Sequence, residues 1–227
     1  MCLQLCSLRV ECESRSSRLA VFHMISVFCD FDGTITSQDS IVFLTERFGG
    51  GPGFRSGALA RIKSGEWSVF EAIEHELASV TISWEEAARV LRAKIKVDSF
   101  FEDFVAFCNE RSLHIQVVSS GMRPVVELFI GHLGLEIYAH PVTISAQGWH
   151  YQPDATVMKV PVLEEARRHT KRLIYVGDGT SDVCAIPYVD DLFAKRYLAD
   201  YCEANGVPYI PFDTFDDVQR KLEKRLL

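Results

Sequence analysis

The chain has 227 residues, with 24 lysines and arginines against 31 aspartates and glutamates, for a net charge of -7. That length suits one domain carrying a modest insertion, and the acidic balance gives no electrostatic footprint for nucleic acid or an anionic membrane. No apolar stretch approaches the ~18 residues needed to cross a bilayer, so a cytoplasmic protein with a small-molecule partner is expected. The seven cysteines include no CxxC pair, which sets aside zinc-ribbon, thioredoxin-like and disulfide-framework readings in favour of reduced thiols.

Residues 1–23 hold three of those cysteines and show no sustained helical or strand period. They are expected to form a disordered N-terminal extension, with Met24 as a possible alternative start. ISVFC (25–29) is a continuous apolar run ending at a turn signal, the pattern of a strand buried on both faces. Residues 39–111 read as helices. Ser83 and Glu86 form a capping-box pair ahead of an apolar face of Trp84, Ala87, Ala88, Leu91 and Ile95. Ser99 and Glu102 repeat the device, and GGGPG (49–53) separates two helices. The block 40–106 is therefore expected to be a helical insert after the first strand. The core is expected to occupy 24–39 and 107–227.

Strand–helix alternation then predicts an α/β fold with a parallel sheet. LHIQVV (113–118), RLIYV (172–176) and DLFA (191–194) are the expected strands. PVLEEARRH (161–169), TSDVCAI (180–186), YLADYCEAN (197–205) and TFDDVQRKLEKRL (214–226, capped by Thr214 and Asp217) are the expected helices. Pro124 sits near another helix start, and 136–152 reads as a hairpin excursion around Ala146–Trp149.

Three apolar strands end in polar clusters: CDFDGT (29–34), VSSG (118–121) and VGDGTSD (176–182). Strand C-termini of a parallel sheet share one edge, and ligands bind in the crevice outside it. Asp30, Asp32, Ser119, Ser120, Asp178 and Asp182 should therefore converge. Carboxylates so close together repel one another unless a cation offsets them. The chemistry that fits is phosphoryl transfer with Mg²⁺ held by hard oxygens: the carboxylates of Asp30 and Asp178, Asp182 directly or through water, and the carbonyl of Asp32.

Asp30 is the expected nucleophile. Asp32 is free to protonate the leaving alkoxide and then deprotonate water. Gly33 gives the backbone room near the phosphate, and Thr34 is expected to hydrogen-bond Asp32 and hold it off the metal. Ser119, with the amides of Ser120 and Gly121 at a helix start, suits the non-bridging phosphate oxygens. Lys159 is the candidate cation, with Arg167, Arg168, Lys171 and Arg172 as competitors.

DFDGT, VSSG, a lysine and GDGTSD, in this order, resemble the four motifs of the haloacid-dehalogenase superfamily of phosphatases. The likeness runs from about Met24 to the end. It implies a Rossmann-like three-layer sandwich whose insert is a C1-type cap closing over a small phosphorylated metabolite. Within the superfamily the chain is similar to the phosphoserine-phosphatase-like branch. There it is nearest to the methionine-salvage phosphatases acting on 2-hydroxy-3-keto-5-methylthiopentenyl-1-phosphate, through CDFDGTIT with Asp39, VSSGM and the tail from DLFAKRYLADY onward. Two departures stand out. Ser120 replaces the first glycine of the usual SGG. Asp39 stands where phosphoserine phosphatases carry a glutamate for the substrate ammonium, which weighs against phosphoserine.

The blander readings are an acidic turn for Asp30 and Asp32, a helix cap for Asp178–Asp182 and for Ser119, and a surface position for Lys159. Cys29 reads as a core residue, and the scattered histidines lack zinc-ligand spacing. Trp67, Trp84, Phe43 and Phe48 read as cap core, and Arg47 and Arg55 as possible substrate contacts. Besides the methionine-salvage compound, phosphoserine, phosphoethanolamine and phosphocholine are possible substrates. A phosphomutase or phosphotransferase would use the same residues, and a non-catalytic phosphate-binding module is the competitor from another class. A dehalogenase has no use for Asp32, Asp178 and Asp182.

Overall fold

The computed structural model describes residues 23–145 and 147–226. The expected extension 1–23, apart from His23, and the cysteines within it lie outside the described residues. Strand β1 (His23–Cys29) sits near the middle of a six-stranded sheet. Its neighbours are β2 (His114–Met122) and β6 (Thr170–Gly177). Outside these lie β3 (Glu136–His140), β7 (Asp191–Ala194) and β8 (Ile210–Pro211), giving the order β3-β2-β1-β6-β7-β8. Every pairing is parallel, so the C-terminal ends of these strands share one edge.

Alternation along the buried strands assigns each residue to one of two faces. Val27, Cys29, Ile115, Val117, Ile174 and Val176 join one core. There they meet α5 (Phe101–Glu110), α6 (Arg123–Ile130) and α9 (Phe215–Leu226). Phe28, Val118, Leu173 and Tyr175 face the other side, with α7 (Lys159–His169) and α8 (Arg196–Asn205). The result is the three-layer α/β sandwich that the motif order implied.

Between β1 and β2 the chain makes α1 (Ser40–Phe48), α2 (Pro52–Ser64), α3 (Val69–Ala78) and α4 (Trp84–Lys94). Asp39 caps α1 by accepting from the amides of Ile41 and Val42, and Ser68 and Glu71 form a reciprocal capping box on α3. Ser83 caps α4 through the amide of Glu86. The expected Ser99–Glu102 box does not form. Asp98 accepts from the amide of Phe100 instead, because α5 starts one residue later than a Ser99 cap would place it. α5, which the expected cap boundary at 106 divides, packs on β2 and α9.

Two further expectations are refined, and one element is added. Residues 136–140 are a strand of the main sheet, and the hairpin is confined to β4 (Val142–Ser145) and β5 (Gly148–Tyr151). The segment Thr180–Tyr188 is a 3-10 helix containing Pro187, whose missing amide hydrogen suits it poorly to an α-helix interior. Strand β8 was not anticipated; its two paired residues are too short to leave a periodic pattern.

Candidate active site

β1 delivers Asp30 to the sheet edge, where its amide donates to the carbonyl of Val176 at 2.9 Å. β2 carries Ser119, Ser120 and Gly121 in a register shift between Val118 and Met122 that turns this stretch away from regular pairing. β6 ends at Gly177, presenting Asp178, and the following 3-10 turn presents Asp182. The carboxylates of Asp30, Asp178 and Asp182 each offer an oxygen within 4.8 Å of the others, and all three residues are buried. Hard, buried oxygens of this kind fit Mg²⁺.

Lys159, the first residue of α7, is buried against them. Its Nζ donates to Asp30 Oδ1 at 2.8 Å and to Ser181 Oγ at 3.0 Å, and it also reaches Asp182 Oδ1. Burial alone would lower the ammonium pKa, but Asp182 and Asp30 outweigh it and the group is held charged. The competing Arg167, Arg168 and Arg172 pair instead with Asp190, Glu165 and Asp191.

Asp182 accepts from four groups. Besides Lys159, the Tyr175 hydroxyl donates to Oδ1 at 2.6 Å, and the amides of Asp178 and Gly179 donate to Oδ2 at 2.9 and 2.8 Å. Asp182 thus ties the lysine to the loop bearing Asp178. Burial and the neighbouring Asp182 raise the pKa of Asp178, while Thr34 and Arg196 oppose the shift. Burial is also the largest cause of the upward shift at Asp30; Lys159 counters it, and Asp182 and Asp178 add to it.

Asp32 is partly buried and accepts from the amide of Ser40 at 2.8 Å. Burial, with Asp39 adding repulsion, pushes its carboxyl up to about 7. The expected Thr34–Asp32 hydrogen bond is absent: the buried Thr34 hydroxyl donates to Asp178 Oδ1 at 3.0 Å. Gly33 has φ +84°, so its carbonyl and Thr34 swing toward the β6 edge, and a Cβ on Gly33 would collide with the Asp178 carboxylate. Thr34 is therefore a brace behind Asp178, while Gly33 itself borders the cavity. Ser119 Oγ accepts from the amide of Gly121 at 2.9 Å, and a Cβ on Gly121 would stand 2.5 Å from Asp32 Oδ2.

A cavity of about 480 Å³ lies over this edge and under the inserted helices. Its floor includes Asp30, Asp32, Ser119, Ser120, Gly121 and Asp178; aliphatic residues of α1, α2 and α3 form its roof. Arg55 lines it, whereas Arg47 is exposed away from it. Trp67 stacks on His75 and Arg61, and Trp84 packs near Trp149, so neither tryptophan borders the cavity.

Sequence reasoning missed Arg196 and Tyr175. The Arg196 guanidinium donates to the carbonyls of Gly33 and Ser37 and to Asp178 Oδ2, at 3.1, 3.2 and 3.2 Å. Its backbone φ of +50° is uncommon for a non-glycine residue and is the kind of local strain that functional sites retain. It lies just past a strand end, the one signal that could have marked it. Tyr175 left only the mark of a phenol in a buried strand, where its hydroxyl requires a partner.

Residues 27–186 match the family described as haloacid dehalogenase-like hydrolase. The chain is 33% identical over 216 residues to Pdp3-interacting factor 1 of Schizosaccharomyces pombe, spanning 87% of this chain and 94% of that protein. It is 30% identical over 224 residues to the polyol phosphate phosphatase PYP1 of Saccharomyces cerevisiae, covering 88% and 93%. Against 2-hydroxy-3-keto-5-methylthiopentenyl-1-phosphate phosphatase of Bacillus thuringiensis subsp. konkukian it is 31% identical over 215 residues, covering 89% and 97%. Among solved structures, the phosphoserine phosphatase from T. onnurineus in complex with NDSB-201 superposes with a TM-score of 0.68 at 17% identity, covering 88% of this chain and 94% of that one.

The chain belongs to the haloacid dehalogenase-like hydrolase family. Within that family it is a phosphatase, as two of these full-length relatives are.

Proposed function

We propose that the protein is a Mg²⁺-dependent phosphomonoester hydrolase that forms an aspartyl-phosphate on Asp30 and acts on a small metabolite. The observation that carries this reading is the placement of Asp30 on the cavity floor. It stands 2.8 Å from the buried Lys159 ammonium, with Asp32, Ser119 and Asp178 beside it. The Asp30 and Asp178 carboxylates, backed by Asp182, and the carbonyl of Asp32 would hold the ion. When bound, it supplies positive charge that offsets the repulsion between the carboxylates and the substrate phosphate.

In the first step an Asp30 oxygen forms a bond to phosphorus as the ester P–O bond breaks, and Asp32 gives its proton to the departing alkoxide. In the second, Asp32 takes a proton from water as the water oxygen attacks phosphorus. This frees phosphate and restores the Asp30 carboxylate. A carboxyl with a pKa of about 7 serves both proton transfers near neutrality. Lys159, the Ser119 hydroxyl and the amide of Ser120 would hold the phosphoryl oxygens, with the Gly121 amide orienting Ser119 Oγ. The inserted helices act as the cap.

For the organic part, the bacterial relative supports 2-hydroxy-3-keto-5-methylthiopentenyl-1-phosphate. The yeast relative supports a second reading, a polyol phosphate. Asp39 accepts two α1 amides through Oδ1, and its side chain is one methylene shorter than the glutamate that phosphoserine phosphatases carry there, which weighs against phosphoserine. Phosphate release from both compounds and from an aryl phosphate, by the wild type and Asp30→Asn, tests the proposal. Turnover that depends on Asp30 supports it, and full activity of Asp30→Asn would refute it. Release of inorganic phosphate, in place of a phosphorylated isomer, separates hydrolysis from mutase chemistry.

A further inference from the structure

Glu76 of α3 is fully buried within the inserted helices, an expensive place for a carboxylate unless it is paired. Its partner is Arg55 of α2, whose Nη1 donates to both carboxylate oxygens, at 3.0 and 3.2 Å. Arg55 keeps 28% of its side chain exposed, and it borders the cavity. Among the described residues only its Nη1 is hydrogen-bonded; a guanidinium carries five donors in a fixed fork. Around it the roof is mainly aliphatic, with Ile41, Leu59, Ile62, Val69 and Ile73, and Asp39 and Lys63 supply one further charge of each sign. Replacing the pair with apolar residues of similar volume would simply continue that wall, so packing does not explain it.

We infer that Arg55, fixed by Glu76, reads a hydroxyl or keto oxygen on the organic part of the substrate, and that this part carries no charge of its own. The inference rests on the phosphatase reading above and specifies its substrate class. Glu76 neutralises the guanidinium, and Asp39 balances Lys63 in the lining, so a substrate carboxylate gains little at this roof. A substrate ammonium placed at Arg55 would meet the guanidinium's own positive charge, and Glu76 is already paired with that guanidinium. A neutral oxygen acceptor, by contrast, accepts from the remaining N–H groups without disturbing the ion pair. Hydroxylated or keto phosphomonoesters fit, while amino-acid phosphates and cationic alkyl phosphates do not.

The test compares kcat/KM for erythritol 4-phosphate, phosphoserine, phosphoethanolamine and an aryl phosphate. The proteins are the wild type, Arg55→Met and the paired Arg55→Met/Glu76→Gln, which leaves no buried carboxylate unpartnered; thermal melting checks that each is folded. The wild type should prefer the polyol phosphate to both charged compounds at least tenfold. In both variants the loss on the polyol phosphate should exceed the loss on the aryl phosphate at least tenfold, carried mainly by KM. Equal losses on all substrates, or a wild-type preference for phosphoserine or phosphoethanolamine, would overturn the inference while the hydrolase reading stands. No phosphate release from any compound would overturn both.

Discussion

The carboxylate of Asp32 accepts the amide hydrogen of Ser40 at 2.8 Å, so the second acid of the first motif is tethered to the first turn of the first inserted helix. That tether, together with burial and the charge of Asp39, sets the character of the group. Asp30 faces Lys159, but Asp32 faces a helix N-terminus and no lysine. The two carboxylates of one turn therefore differ in environment, as a nucleophile and an acid/base must.

Asp32→Asn should separate the two proton transfers. With an aryl phosphate, whose leaving group needs no acid, a burst close to one equivalent should precede a turnover slowed about 10²–10⁴-fold. With an alkyl phosphate no burst should appear. Steady turnover at the wild-type rate with both would remove Asp32 from the chemistry.

Metal binding should register as stability. Addition of MgCl₂ should raise the melting temperature of the wild type, by about 2.7 kcal/mol of stabilisation at a hundred times the dissociation constant. Asp178→Asn removes one buried carboxylate from the cluster and should abolish most of that shift. An undiminished shift in Asp178→Asn would place the ion elsewhere.

The hairpin should act on the phosphate-holding loop. Tyr151 on β5 donates to the carbonyl of Ser120 at 2.7 Å, and Trp149 on the same strand donates to the carbonyl of Ile82 beyond α3. Gly148, at φ +133°, lies so close to the carbonyl of Ala78 that a Cβ would collide with it. Gly148→Ala should cost about 1–3 kcal/mol of stability. Tyr151→Phe should weaken inhibition by inorganic phosphate several-fold with only a small change in melting temperature. If phosphate inhibition is unchanged in Tyr151→Phe, the hairpin has no influence on the loop.

A pH effect on stability follows from His140. It is fully buried, its Nδ1 accepts from the amide of Asp154 at 3.0 Å, and burial lowers its pKa to about 4. Asp154 opposes that shift and Lys159 reinforces it. Unfolded, the imidazole titrates near its usual ~6.5. The unfolded state therefore binds more protons between those values. The contribution is complete above ~6.5 and falls as the pH drops toward about 4, by up to about 3 kcal/mol. Urea titrations at pH 7 and pH 5 should show a shallower loss in His140→Gln than in the wild type. Identical losses would rule His140 out as a source.

Much of the fold was legible because parallel-sheet strands are buried on both faces and read as apolar runs, as ISVFC and RLIYV do. The convergence of Asp30, Ser119 and Asp178 followed from one topological rule, that such strands end along a common edge. The hydroxyl of Thr34 was misdirected because local proximity favours Asp32. The positive φ of Gly33 turns the chain toward Asp178 instead, a contact 144 residues away in sequence. Arg196 and the pairing of Arg55 with Glu76 escaped notice because they are defined by partners well separated in the chain, and Tyr175 because its partner Asp182 lies across the turn that ends β6. Their residue types carry no periodic or motif signal.

The most direct test of the account is acid-quenched peptide mapping of the wild-type protein during turnover of an alkyl phosphomonoester with Mg²⁺. The account predicts a single phosphoryl group, labile to hydroxylamine, on the peptide bearing Asp30, and its disappearance in Asp30→Asn. Substrate turnover with no phosphoryl group on that peptide, or with the group on another residue, would contradict it.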